Sequence, residues 1–184
     1  EGFLSIGVLP VIKHIPGHGR AKADSHHDLP VVDTPLEDLR SVDFPPFRAL
    51  RQMPWAMTAH VVYEALDKAA PATTSAVVIA DAIRGTIGFD GVLVSDDLSM
   101  KALAGPMDER AAVALAAGCD LVLHCCGEMA EMQGVAGGVG PLSGGAAARL
   151  ARADDMRGQI ADWDRDAALA RLQDLLKPLN PGAP

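Results

Sequence analysis

Four short apolar runs, each with ionisable residues at or near its carboxyl end and each followed by a helical pattern, limit what this chain can fold into. The runs are 7–12 (GVLPVI), 56–62 (AMTAHVV), 91–95 (GVLVS) and 119–124 (CDLVLH). They have strand length and little polar alternation, as strands buried on both faces do. Helix signals lie between them. Thr34-Pro35-Leu36-Glu37 has the form of a capping box with Pro at the first helical position. Pro45-Pro46 should break or kink the helix that starts there. Thr74 or Ser75 can cap the next helix, which carries Val78, Ile79, Ala82 and Ile83 on one face and should stop near Gly85. A further helix is expected from Asp108 to Ala117, ended by Gly118. Past Gly127 the chain reads as Ala/Gly-rich helix and loop, and Arg149 to Leu176 as one or two amphipathic surface helices. This alternation predicts a parallel α/β sheet. With two Trp, one Tyr and four Phe in 184 residues, the core must rest on Ala, Val, Leu and Ile.

The strand ends narrow the fold class. The first run ends at Lys13-His14, the second carries His60, the third ends at Asp96-Asp97 and the fourth at His124. In a parallel (β/α)8 TIM barrel the carboxyl rim of the strands is where the site is built. A whole barrel takes about 250 residues, and four βα units are counted here. The expectation is therefore the last four βα units: residues 1–177 as the carboxyl-terminal half of a TIM-barrel catalytic domain, with 178–184 a flexible tail.

Composition removes several function classes. The formal net charge is −8, with no run of four or more Lys/Arg, so neither a nucleic-acid partner nor a polybasic membrane contact is expected. The early apolar stretch Ile6 to Ile12 contains Gly7 and Pro10 and is far short of the ~20 residues that span a bilayer. The opening residues lack the basic start of a signal peptide. Cys119, Cys125 and Cys126 are an odd number with two adjacent, a poor disulfide framework. They are expected to be small buried apolar residues in a reducing compartment.

The polar loop 13–30 (KHIPGHGRAKADSHHDLP) concentrates the candidate chemistry. Asp24 and His26 stand two apart, so in an extended segment they project to one side. The carboxylate can then hold one ring nitrogen and leave the other to exchange protons. Asp96 or Asp97, at a strand tip, can supply a nucleophile or stabilise a cation; strand periodicity leaves open which of the two faces the cleft. Lys13 and His14 can hold hydroxyls or an anion, with a rim salt bridge the plainer role for Lys13. A zinc hydrolase would need a ligand pattern such as His-x-His at a strand tip or His-Glu-x-x-His. Neither is present, and no metal or cofactor is expected at this site.

Taken together, 13–30, 57–61 (MTAHV), 88–103 (GFDGVLVSDDLSMKAL) and 117–125 (AGCDLVLHC) resemble the bacterial β-N-acetylhexosaminidases of glycoside hydrolase family three. The resemblance runs from about Gly7 to about Gln133. It implies a cytoplasmic, cofactor-free TIM-barrel enzyme of cell-wall recycling. Such an enzyme removes terminal β-linked N-acetylglucosamine from peptidoglycan fragments of the N-acetylglucosamine-anhydro-N-acetylmuramic acid type, with retention. By motif match it implies Asp96 as nucleophile, His26 with Asp24 as acid/base on a mobile loop, and Lys13 and His14 as sugar-binding residues. A histidine in place of the usual acid carboxyl adds no negative charge near the leaving oxygen, so phosphate is an alternative acceptor to water. The other barrel half, or self-association of the chain, is the expected protein partner; a non-catalytic half-barrel is the alternative to an enzyme.

Overall fold

The computed structural model describes residues 2–158, 162 and 164–177; the expected tail 178–184 lies outside them. In chain order the elements are α1 (Gly2–Ser5), β1 (Val11–Ile15), β2 (Val31–Val32), α2 (Leu36–Asp38), a π-type turn Leu39–Asp43, α3 (Phe44–Ala49), β3 (Trp55–Thr58), β4 (Val62–Tyr63), a 3-10 turn Ala72–Thr74, a π-type helix Val78–Ile87, β5 (Val92–Asp97), α4 (Met107–Ala117), β6 (Leu121–Leu123), α5 (Met129–Gly138), α6 (Gly144–Asp155) and α7 (Arg165–Leu176). Among the described residues no helix is long and apolar enough to cross a membrane.

The main sheet has the order β1-β3-β5-β6, with every pairing parallel. Its strands follow one another in space as they do in sequence. This is the partial-barrel form of the (β/α)8 class, and all four apolar runs contribute a strand to it. The boundaries differ from the apolar pattern for local reasons. β1 starts at Val11, not Gly7: Gly7 is in a left-handed turn (φ 74) and Pro10 has no N–H to give a ladder. β3 ends at Thr58, and the rest of that run turns away to place Val62 and Tyr63 against Val31 and Val32 in a separate two-stranded parallel sheet. Two-residue strands leave no periodicity to read.

The helices carry similar corrections. The capping box does not form. α2 begins one residue late, with Pro35 at the N-cap and no side-chain cap bond, which places Glu37 at the second helical position. It cannot reach back from there and pairs with Arg40 instead (3.0 Å). Pro45 and Pro46 fall in the first turn of α3, directly after the π-type turn, where their missing N–H groups cost little. Ser75 does cap the following helix, accepting from the Val78 N–H (3.1 Å). That helix runs past Gly85 to Ile87, and Gly88 ends it at φ 76. Gly118 ends α4 as its position predicts (φ 119). The 149–176 reading resolves into two helices, and the first starts earlier, at Gly144, capped by Ser143.

The main core lies between the sheet and its helices and is built from Ile15, Leu39, Phe44, Ala56, Tyr63, Ile79, Ile83, Phe89, Leu93 and their neighbours. Cys119 is buried in it, and burial pushes its thiol up to about 12, which removes it as a nucleophile at neutral pH. Cys125 and Cys126 are exposed, against expectation, because β6 ends at Leu123 and the chain leaves the sheet before reaching them.

At the amino-terminal ends of β5 and β6 sits an ionic clamp. The Asp120 side chain, only 5% exposed, accepts from Arg84 Nη2 (3.0 Å), Arg149 Nη1 (3.0 Å) and the Leu93 N–H (2.9 Å). Arg84 also donates to the carbonyls of Phe89 and Gly91. The clamp ties the helix 78–87, both strands and α6 at one point. Removing one partner of such a buried pair leaves the others uncompensated. Asp120→Ala is expected to lower stability by about 3 kcal/mol or more, read as a lower urea midpoint with an unchanged slope; a shift within error would show the clamp to be dispensable.

Candidate active site

β1 and β5 bring the first side chains together. β1 pairs Lys13 with Met57 and Ile15 with Thr58, so two steps on β1 cover one on β3 and His14 falls on the irregularity. β5 pairs Val94 with Leu121 and Asp97 with Leu123, three steps against two, and Asp96 falls within that stretch. Bulges of this kind re-aim side chains beside active sites. Here they set His14 Nε2 3.5 Å from Asp96 Oδ2. That distance is too long for a strong hydrogen bond. Burial, with smaller contributions from Lys13, His18 and His60, outweighs the pull of Asp96 and holds the His14 ring below the usual imidazole range. The contact is thus a neutral ring facing a carboxylate, with its polar edge available to a ligand.

The loop after β1 supplies the rest. Its base is held from below: the buried Tyr63 hydroxyl donates to the Gly17 carbonyl, and Arg20 Nε donates to Asp43 Oδ2 (2.7 Å). His18 packs edge-on against His14, with ring centroids 5.7 Å apart, and its Nε2 lies 3.4 Å from Ser25 Oγ. Farther out, Asp24 Oδ1 accepts from the His26 backbone N–H (3.0 Å) and from its Nδ1 (2.8 Å). Those two bonds hold the Asp24 carboxyl below the usual carboxylate range, so it remains an acceptor. Nδ1 is committed and Nε2 is left to face outward. The pair is exposed (side chains 61% and 71%), whereas Asp96 is sunk in the rim at 13%.

Lys13, His14, Asp24, His26 and Asp96 all line one open cleft of about 480 Å³, with His18, Gly19 and Ser25. The five residues singled out in the sequence are therefore brought together. Other candidates are placed elsewhere. His27 and Asp28 are exposed on the loop. Asp97 turns away from the cleft: its Oδ1 accepts from the N–H groups of Ser99 (3.0 Å) and Cys125 (3.1 Å), and its Oδ2 from Ser99 Oγ (2.6 Å). His60 is fully buried. Its Nε2 donates to the Asp97 carbonyl (3.0 Å) and its Nδ1 accepts from Thr73 Oγ1 (2.7 Å). Burial lowers its basicity despite the Asp97 carbonyl, which fits a neutral ring used as a brace. His124 sits past β6 beside Glu131 and Cys126. Sequence reasoning missed His18, whose place between two glycines in the loop was the available signal.

A lysine, histidines and a carboxylate delivered to one cleft by the carboxyl ends of parallel strands define a TIM-barrel-type enzyme site. Residues 1–152 match the model of the glycosyl hydrolase family 3 N-terminal domain, and the chain belongs to that family. It is 44% identical over 128 residues to a β-hexosaminidase of Alkalilimnicola ehrlichii, covering 67% of this chain and 36% of that protein. Against a β-hexosaminidase of Chromobacterium violaceum it is 40% identical over 188 aligned residues, 97% of this chain and 52% of the relative. Among solved structures it resembles a family 3 β-N-acetylglucosaminidase from Paenibacillus (TM-score 0.75, 33% identity, covering 89% of this chain and 35% of that one). It also resembles native NagZ from Neisseria gonorrhoeae (TM-score 0.68, 35% identity, 89% and 46%). The chain spans about half, or less, of the length of the curated relatives it matches.

Asp97 gives a prediction with a definite sign. Burial raises its carboxyl, but the bonds from Ser99 and Cys125 outweigh this and hold it below the ordinary value. A depressed folded-state value contributes stability that is present above the unfolded value, about 3.9, and lost as pH falls through the folded one. The stability advantage of the native chain over Asp97→Asn should therefore be largest near neutral pH and shrink below about pH 4, measured by urea unfolding across pH. A gap that stays constant with pH would refute this.

Proposed function

We propose that this chain carries the catalytic face of a retaining exo-β-N-acetylglucosaminidase that removes terminal N-acetylglucosamine from peptidoglycan fragments during cytoplasmic cell-wall recycling. The observation that carries the reading is the shared cleft of Lys13, His14, Asp24, His26 and Asp96. Membership of family 3 and the names of the relatives support the same reaction class.

The arrangement accounts for each step. Lys13 and the neutral His14 donate to sugar hydroxyls and fix the ring against Asp96. The Asp96 carboxylate attacks the anomeric carbon as the glycosidic bond breaks, forming a glycosyl ester. The leaving oxygen takes its proton from His26 Nε2, while Asp24 keeps Nδ1–H in place throughout. In the second half His26 Nε2 takes a proton from the acceptor water, whose oxygen attacks the same carbon and releases Asp96. Because His26 stands on the exposed part of a loop whose base is pinned by Tyr63 and Asp43, it can close over a sugar already bound. The remaining barrel, which relatives of about twice this length contain, would complete the sugar pocket.

The test is release of p-nitrophenol from p-nitrophenyl β-N-acetylglucosaminide by the chain, alone and supplied with the remaining barrel of a β-hexosaminidase relative. Asp96→Ala should cost about 10⁴-fold or more in turnover; full activity in that variant would overturn the assignment. His26→Ala should cost about 10²- to 10⁴-fold with a poor leaving group, such as a second sugar. The loss should be far less in the first step with nitrophenol, which leaves without help. Equal losses on both substrates would remove His26 from the acid role.

A further inference from the structure

Past the end of β6, His124, Cys126 and Glu131 converge on one point, and neither the fold nor the proposed reaction uses them. His124 Nε2 lies 2.8 Å from Glu131 Oε2 and 3.3 Å from Cys126 Sγ, and Sγ lies 3.1 Å from the same Oε2. The three donor atoms form a closed triangle. The His124 side chain is only 6% exposed and sets the position of its nitrogen. Glu131 comes from the first turn of α5, and Cys126 from the loop between, where the Glu128 N–H also points at its sulfur (3.4 Å).

We propose that His124, Cys126 and Glu131 form a binding site for a divalent metal ion of borderline softness, Zn2+. The donor set is one imidazole, one thiolate and one carboxylate, the mixture that zinc takes, with the fourth tetrahedral position open to solvent. Zinc bonds of about 2.0 to 2.3 Å hold tetrahedral ligand atoms roughly 3.3 to 3.7 Å apart. The triangle must therefore open by about half an ångström at most pairs. Two of its corners are on an exposed loop residue and a partly exposed glutamate, so the opening is easy. Binding releases the Cys126 thiol proton to solvent as the S–Zn bond forms.

The geometry separates this from the two other readings of such a trio. A Cys-His-Glu relay uses both ring nitrogens, one for the thiol and one for the carboxylate. Here both partners crowd Nε2, while Nδ1 is buried with no partner among the described residues. A plain hydrogen-bond cluster accounts for the His124–Glu131 pair but leaves Sγ and Nε2 in contact while both aim their protons at one oxygen. An ion at the centre satisfies all three. The sequence spacing, His-x-Cys followed five residues later by Glu, matches no standard zinc pattern and was not legible beforehand.

The site would also act on its surroundings. Cys125 lies between two ligands, and its N–H donates to Asp97 Oδ1. A metal holding 124 and 126 fixes that donor beside the nucleophile's neighbour.

Cobalt(II) is the probe, since it takes zinc's place and reports a thiolate ligand by a near-ultraviolet charge-transfer band. Titrated into the reduced chain under argon, Co2+ should give that band with tetrahedral-type visible absorption, and Zn2+ should abolish both. Cys126→Ser should lose the band while keeping the native circular dichroism spectrum; Cys125→Ser and His26→Ala should retain it. Glu131→Gln should keep the band but weaken cobalt binding by about 10-fold or more. Absence of the band in the native chain, or a band that survives Cys126→Ser, would overturn the proposal. So would a band lost in Cys125→Ser or His26→Ala, which would place the ion elsewhere. If Cys126→Ser does not fold, Cys126→Ala and the Glu131→Gln affinity decide in the same way.

Discussion

Where β5 leaves the sheet, the Asp97 side chain takes over the work of the backbone ladder. A bulge interrupts the pairing with β6 just before this point, and the chain must still hold Asp96 steady at the rim. Asp97 does so with three accepted bonds, two from Ser99 and one from Cys125. Its carbonyl is fixed from the other side by the buried ring of His60. His60 is in turn fixed by Thr73, whose hydroxyl also lies 2.8 Å from that of Thr58. The placement of Asp96 is thus inherited from a chain of buried polar contacts reaching back through the end of β3. Fully satisfied networks of this kind give a unique arrangement, because each unpaired member would be costly.

The two halves of the proposed chemistry are held with unequal firmness. Asp96 belongs to a strand and a buried network. The Asp24–His26 pair belongs to a surface loop whose base is pinned by a tyrosine hydroxyl and an arginine. In the proposed reaction the carboxylate that meets the anomeric carbon is held in a strand, while the proton-moving group stands on an exposed loop.

Much of this was legible in the chain. The alternation of apolar runs and helical stretches gave the parallel sheet, because core-facing strand positions must be apolar, although only β5 is buried along most of its length. Of the residues at the ends of those runs, Lys13, His14 and Asp96 line one cleft, together with Asp24 and His26 from the polar loop. What stayed illegible depended on exact frame or on distant partners. The capping box at Thr34 failed because the helix starts one residue late. His60 looked like a rim group and proved to be a brace, since its partners at Thr73 and Asp97 are 13 and 37 residues away. Asp96 and Asp97 could not be told apart by alternation, because a bulge abolishes alternation where it matters. Cys125 and Cys126 were expected inside; they follow a partly buried strand too short to reach them.

The Asp120 clamp joins Arg84, Arg149 and the start of β5 at the end of the sheet opposite the cleft. Cohesion and chemistry are thereby assigned to separate ends of the same strands. A drift in sequence at one end leaves the other largely untouched. Loops at the cleft can be exchanged, lengthened or retuned for a different ligand without drawing on the interactions that keep the strands together. A lineage carrying this clamp can explore new substrates from a scaffold already secured.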